Sequence, residues 1–321
     1  MSIRVLQPGI QTTVQDLGRF GYQQYGVPVA GAMDPRSLKL ANIILDNEPG
    51  EATLEITVTG PQLEFTEANY IALTGGDLGA VLDGRPVPRY EAVKVEAGQV
   101  LRFLGLRSGC RAYLAFAGGL DVPAVMGSRS TYMKAKIGGY EGRRLEAGDE
   151  LRFRAPRPEL AFAERRKLGI DFVPQKEYSL RVVWGPQDDH FTEAGRRTFC
   201  SEVYTVSAES DRMGCRLEGA VIEHQSGADI ISDGIAMGAV QVPAAGLPII
   251  MAADRQTTGG YPKIAAVISA DFRYLGQLKG GDKVRFVPVT VEQAQNSRKL
   301  DEQYYRMIRA FLDRDRAMEY N

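Results

Sequence analysis

The chain has 321 residues, 44% hydrophobic and 25% charged, the balance of an ordinary soluble globular protein. Its 39 Lys and Arg nearly cancel 40 Asp and Glu, and no basic stripe with interleaved aromatics runs through it, which argues against nucleic acid as a partner. Three cysteines (Cys110, Cys200 and Cys215), odd in number and without CxxC spacing, argue against a disulfide framework or a zinc site and favour a reducing compartment.

The N-terminal stretch MSIRVLQPGIQTTVQD lacks the apolar core of a signal peptide, so the cytoplasm is the expected location. IRVL (3–6), TLEIT (53–57), YIALT (70–74), AVKVE (92–96), VLRFL (100–104) and AYLAFA (112–117) are branched or aromatic runs that predict strands. Between the first two, Asp34-Pro35 sets a capping residue before a proline, and Leu38, Ala41, Ile44 and Leu45 predict a helix to Asn47. LRF (151–153), LRVVW (180–184) and AAVIS (265–269) continue the strands, with turn signals spaced as in sandwiches or barrels. The segment APRPELAFAERRKLGIDFVPQKEY, rich in proline and charge, predicts a boundary. At this length two domains are the default. We divide the chain into 1–155, a linker over 156–177, and 178–321.

Residues 234–253, GIAMGAVQVPAAGLPIIMAA, carry no charge and have the length of a membrane span. Gly234, Gly238, Gly246, Pro243 and Pro248 break any useful helix, so GAVQV (238–242) and LPIIMA (247–252) read instead as two buried strands joined by a turn. A phrase also recurs three times: EAGQVLRF (96–103), EAGDELRF (146–153) and KGGDKVRF (279–286). It predicts equivalent strand entries, with convergent turn chemistry as the alternative. The chain closes on a helix opened by the capping-box pair Thr290 and Gln293, with Leu300, Tyr304, Ile308 and Leu312 on one stripe.

No GxxxxGK[ST], GxGxxG after a strand, or GxSxG occurs. His190 and His224 are the only histidines, too few for a histidine-rich metal site, and no metal ligand is assigned. The pair Met133-Lys134 lacks the flanking residues of a biotin carrier, so Lys134 is read as unmodified. Four polar segments remain. Residues 12–34 place Asp16, Arg19 and Tyr22 among four glycines. Residues 117–132 hold Ser128, Arg129, Ser130 and Thr131, hydroxyls and a guanidinium suited to an anion. Asp211 and Arg212 precede Gly214. The buried run then delivers its end into DRQTTGGYPK, residues 254–263. Taken singly, each segment is explained by loop stapling and turn capping; four in one chain favour a site. We take Arg255 and Lys263 as first candidates for anion contacts, with Arg129 and Arg212 next, and Asp254 and Asp211 as orienting groups or bases. Gln241, Thr257, Thr258, Gly260 and Tyr261 complete the candidate binding set.

The blocks at 12–34, 117–132, 210–219 and 238–271 resemble, in order, those of a family known variously as allophanate hydrolase subunit 2, biotin-dependent carboxyltransferase and the C subunit of 5-oxoprolinase. The resemblance implies a mostly β fold of two cyclophilin-like β-barrel subdomains with a few short helices and a C-terminal helix. It also implies partners: a B subunit resembling allophanate hydrolase subunit 1, and an A subunit. Together these open the lactam of 5-oxoproline to L-glutamate at the expense of ATP, with this chain inactive alone. Within the same family, a urea carboxylase-like role would use biotin, and a third role is a regulator that antagonises an inhibitor of a sporulation kinase. The absence of a carrier motif favours the oxoprolinase role.

Overall fold

The computed structural model describes residues 2–169, 175 and 177–313. The protein is mostly β, with a seven-stranded barrel and a C-terminal helix. The chain divides into two compact units, one of residues 1–19, 34–174 and 302–321, the other of 20–33 and 175–301. The units are therefore interleaved rather than consecutive. Part of the linker expected over 156–177 lies outside the described residues, and the described part is not free chain. Leu160 is buried in an apolar cluster with Leu40 and Ile44, and the buried Arg166 donates to the Ile44 and Ala161 carbonyls of the first unit.

The first unit holds two sheets. One runs Glu150–Leu151, Ile3–Gln7, Gln62–Phe65, Val100–Phe103, Ala80–Leu82, Arg85–Pro86. The other runs Gln11–Gln15, Thr53–Thr57, Ser108–Phe116, Asn69–Asp77, Ala92–Val95. Alternation in Ile3–Gln7 and Gln62–Phe65 sends Ile3, Val5, Leu63 and Phe65 into one apolar cluster with Leu54, Ile56, Leu101, Leu114 and Phe116. The helix Pro35–Ile44 starts where Asp34 Oδ1 accepts the Ser37 amide at 3.0 Å. Its Leu40, Ala41 and Ile44 share a cluster with Ala72 and Ala115 of the second sheet, and with Ile308 and Leu312 of the C-terminal helix Val291–Leu312.

The second unit is the closed barrel: Glu177–Trp184, Lys263–Val267, Ala239–Gln241, Ile249–Met251, Gly214–Glu218, Tyr204–Val206, Lys283–Pro288. It closes through a parallel pairing of its first and last strands, with Leu180 opposite Phe286. Leu180, Val182, Tyr204, Val240, Ile250 and Phe286 fill it, and Phe286 stacks on Phe199 at 4.3 Å between centroids. The uncharged run supplies two antiparallel strands, with Val240 opposite Ile250. Thr290 and Gln293 exchange reciprocal bonds at 2.9 and 3.1 Å, the capping box that opens the last helix.

The recurring phrase folds the same way three times. Gly98, Gly148 and Gly281 have φ of 87°, 92° and 89°. The residue after each, Gln99, Asp149 or Asp282, accepts through its side chain the amide three positions before it, at 2.8, 2.7 and 3.1 Å. The sequence phrase is thus one turn device, used twice in the first unit and once in the second.

Candidate functional site

Every element that fixes the DRQTTGGYPK segment belongs to the second unit. Ile249–Met251 brings the chain to its start, and Lys263–Val267 leaves from its end, with Lys263 in register with Gln241. In the middle, Thr258–Gly259 pairs with Asp233–Gly234 as a two-stranded ribbon. A turn tied at both ends and in the middle can hold side chains in fixed places.

At its start, Arg212 and Asp254 form a buried, two-pronged ion pair. Arg212 Nε and Nη2 lie 2.9 Å from Asp254 Oδ2 and Oδ1, and Nη2 also donates to the Gly31 carbonyl at 2.7 Å. Both residues are at most 6% exposed, so each charge depends on the other. Arg255 is equally buried, but no carboxylate lies within ion-pair distance of it among the described residues. Its Nε donates to the Ile235 carbonyl at 2.9 Å, and its Nη1 to the Ala252 and Ala253 carbonyls at 3.3 and 3.5 Å. Nη2 has no protein acceptor among the described residues, and it is not among the atoms sealed from solvent. Burial pushes the Arg255 guanidinium down to about 10, against a smaller opposing pull from Asp254. A cation held by carbonyl oxygens, with one nitrogen open, has the chemistry to accept one anionic group.

At the other end, Gln241 is buried and donates to the Tyr261 carbonyl at 3.3 Å. Gly259 lies over it: a Cβ there would come within 2.9 Å of Gln241 Nε2 and 2.7 Å of Ile235 Cδ1. Close approach thus accounts for Gly259. A Cβ at Gly260 would meet nothing nearer than 3.4 Å, and Gly260 takes part through its carbonyl, which accepts the Ile230 amide at 2.8 Å. Thr258 and Tyr261 are exposed, and the Thr257 carbonyl accepts the Ile235 amide at 3.0 Å. Lys263 is 4% exposed, and its ammonium meets Asp233 Oδ2 at 2.8 Å. Gln187 joins the pair: its Oε1 accepts the Lys263 amide at 3.2 Å, and its Nε2 lies 3.4 Å from Asp233 Oδ2. The Asp233 carboxyl is held below the usual carboxylate range, first by the Lys263 hydrogen bond and then by the Gly234 amide.

Asp254, Arg255, Thr257, Thr258, Gly260, Tyr261 and Lys263 therefore lie on one tied segment of the second unit, to which Arg212 and Gln241 are hydrogen-bonded. Asp211 does not join it. Its carboxylate caps its own turn, accepting the Met213 and Gly214 amides at 2.8 and 3.1 Å. Ser128, Arg129, Ser130 and Thr131 belong to the first unit, where the three hydroxyl residues are buried and Arg129 is partly exposed. Asp16 gathers them: its Oδ1 accepts from the Ser128 and Ser130 hydroxyls and the Gly18 amide, and its Oδ2 accepts the Arg129 amide at 2.6 Å. The Thr131 hydroxyl donates to the Val14 carbonyl at 2.9 Å, and Arg129 Nε to the Val122 carbonyl at 2.8 Å. The three hydroxyls are thereby committed to a folding knot. Sequence reasoning missed Asp233 and Gln187, which lie 30 and 76 positions from Lys263. The one available signal was that Asp233 is the charge at which the uncharged run begins.

No helix among the described residues is long and apolar enough to cross a membrane. The family described as "Carboxyltransferase domain, subdomain A and B" matches residues 25–288. The chain is 37% identical to the C subunit of 5-oxoprolinase from Escherichia coli K12, with 95% of this chain and 97% of that protein aligned. It is 36% identical to the C subunit of the Haemophilus influenzae 5-oxoprolinase, with 97% and 99% aligned. The crystal structure of Kluyveromyces lactis urea carboxylase superposes with a TM-score of 0.88 at 31% identity, over 96% of this chain and 29% of that one.

Proposed function

The chain belongs to the carboxyltransferase domain family, and from that premise we propose that it is the C subunit of an ATP-dependent 5-oxoprolinase, working in the cytoplasm with the A and B subunits of that enzyme. The observation that carries this reading is mutual coverage. The chain aligns over nearly the full length of two 5-oxoprolinase C subunits, whereas it spans under a third of the urea carboxylase.

The site chemistry supports an anionic ligand. Arg212 is neutralised by Asp254 and Lys263 by Asp233, while Arg255 is met only by carbonyl dipoles. The open Nη2 fits the carboxylate of 5-oxoproline or one phosphoryl oxygen. ATP, bound in the assembled complex, supplies the phosphoryl group that activates the lactam carbonyl. One water adds to the phosphorylated carbonyl carbon, and the ring C–N bond breaks with a proton passing to the amine, which leaves a γ-glutamyl phosphate. A second water hydrolyses that acyl phosphate, so the products are L-glutamate, ADP and phosphate. In this scheme Arg255 orients the substrate, and the Lys263 ammonium steadies charge that grows during transfer. Gln241 and the ribbon Thr258–Gly259 shape the wall beside them.

The test is reconstitution with the A and B subunits, following ADP and glutamate release. Turnover that depends on 5-oxoproline and on this chain supports the proposal, and a pure, assembled complex with no such turnover overturns it. Likeness to a urea carboxylase favours a second reading, a biotin-dependent carboxyltransferase component. Carboxylation of urea in a system supplied with carboxybiotin would promote it.

A further inference from the structure

The least expected grouping in the second unit is the ring formed by Lys263, Asp233 and Gln187. The Lys263 side chain is 5% exposed and that of Asp233 is 52% exposed. An ammonium carried so far out of water costs more than a well-packed apolar side chain would, so stability of the fold does not account for it. Its single acceptor among the described residues is Asp233 Oδ2. That carboxylate is fixed twice over. Oδ1 accepts the Gly234 amide at 2.7 Å, and Gln187 bridges Oδ2 to the backbone of Lys263 itself. The ribbon pairing of Asp233 with Gly259 then ties the same carboxylate to the candidate site's turn.

The geometry points to Asp233 as the positioning residue that holds the Lys263 ammonium in place for the reaction, with Gln187 setting the carboxylate. An ammonium has three protons and Asp233 takes one, so the rest remain for a small carboxylate or phosphoryl group. This inference rests on the reading that Lys263 works at this site.

Two arms test it, using Asp233→Asn, which keeps the shape and removes the charge, and Asp233→Glu, which returns the charge. In the isolated chain, acetylation by acetic anhydride is followed at Lys263 and at the exposed Lys94 by peptide mass spectrometry. Asp233→Asn is expected to speed labelling of Lys263 at least threefold, by a rough estimate from the loss of one charge partner, while Lys94 stays unchanged. In the assembled complex, the same variant is expected to lower kcat about tenfold or more and leave KM for 5-oxoproline within about threefold, because the interaction gains strength only as charge develops. Asp233→Glu is expected to recover a large part of kcat. Unchanged labelling of Lys263 overturns the inference, and so does faster labelling with undiminished kcat. If the wild-type complex fails to turn over 5-oxoproline, that failure counts against the proposed function, and the labelling arm alone decides whether Asp233 holds Lys263.

Discussion

Replacing Arg255 by Met separates a charge kept for a ligand from one kept for the fold. Burial pushes the Arg255 guanidinium down to about 10, a fall worth roughly 3 kcal/mol against the folded protein. The sign follows from linkage: the folded state holds this proton less tightly than the unfolded chain. The penalty is therefore in full force at neutral pH and is relieved only as pH rises above about 10. Against it stand the hydrogen bonds to the Ile235, Ala252 and Ala253 carbonyls, each contributing on the order of 1 kcal/mol. The Ile235 carbonyl keeps a second donor, Gln23 Nε2 at 3.0 Å, when the guanidinium is gone. These contributions nearly cancel, so Arg255→Met should unfold in urea within about 1 kcal/mol of wild type. In the reconstituted complex it should raise KM for 5-oxoproline by about a hundredfold, the loss of one charge-assisted contact of roughly 3 kcal/mol. Urea curves read by tryptophan fluorescence give the first number and initial rates the second. A loss of more than about 3 kcal/mol in stability with KM unchanged would refute the reasoning and make Arg255 a structural cation.

Other substitutions divide the candidate residues further. Asp254→Ala leaves Arg212 buried without its carboxylate and should cost about 3–5 kcal/mol. Asp211→Ala removes only an exposed turn cap, and urea unfolding should register about 1 kcal/mol or less. Gly259→Ala must displace Ile235 or Gln241 and should cost about 1–3 kcal/mol, whereas Gly260→Ala meets nothing nearer than 3.4 Å and should leave the unfolding midpoint close to wild type. Asp16→Ala strands the Ser128, Ser130, Gly18 and Arg129 donors, and calorimetry should find the first unit's transition lowered by several degrees.

The strands with plain alternation were legible because half of their side chains face the core. Ile3–Gln7 and Val100–Phe103 are examples. Gln11–Gln15 was not legible as a strand. It buries Thr12, Thr13 and Gln15, and the sequence QTTVQ reads as a polar loop until Thr131 and Pro8 supply acceptors for its side chains. The same polarity made the segment around Ser128 look like a ligand site, since a hydroxyl aimed at a ligand and one aimed at Asp16 have identical local sequence. The helix Glu193–Ser201 escaped notice because it buries only Gly195 and Phe199, too few to print a stripe. At the candidate site, the residues clustered in DRQTTGGYPK were visible, but their partners Asp233 and Gln187 arrive through barrel and ribbon pairing, which no local spacing encodes.

Interleaving of the two units has a consequence for how the chain is made. Met33, translated early, packs with Ala252 and Ala253, while Ile308 and Leu312, translated nearly last, complete the cluster around the helix Pro35–Ile44. At roughly 5–20 residues per second, the first unit waits roughly 7–28 s after residue 174 for its final pieces. Until then the part of that cluster which Ile308 and Leu312 cover is open to water, a window in which a chaperone can act on the nascent chain. A ribosome halted at residue 301 would release a barrel with every strand present and a first unit with its Ile308 and Leu312 positions empty.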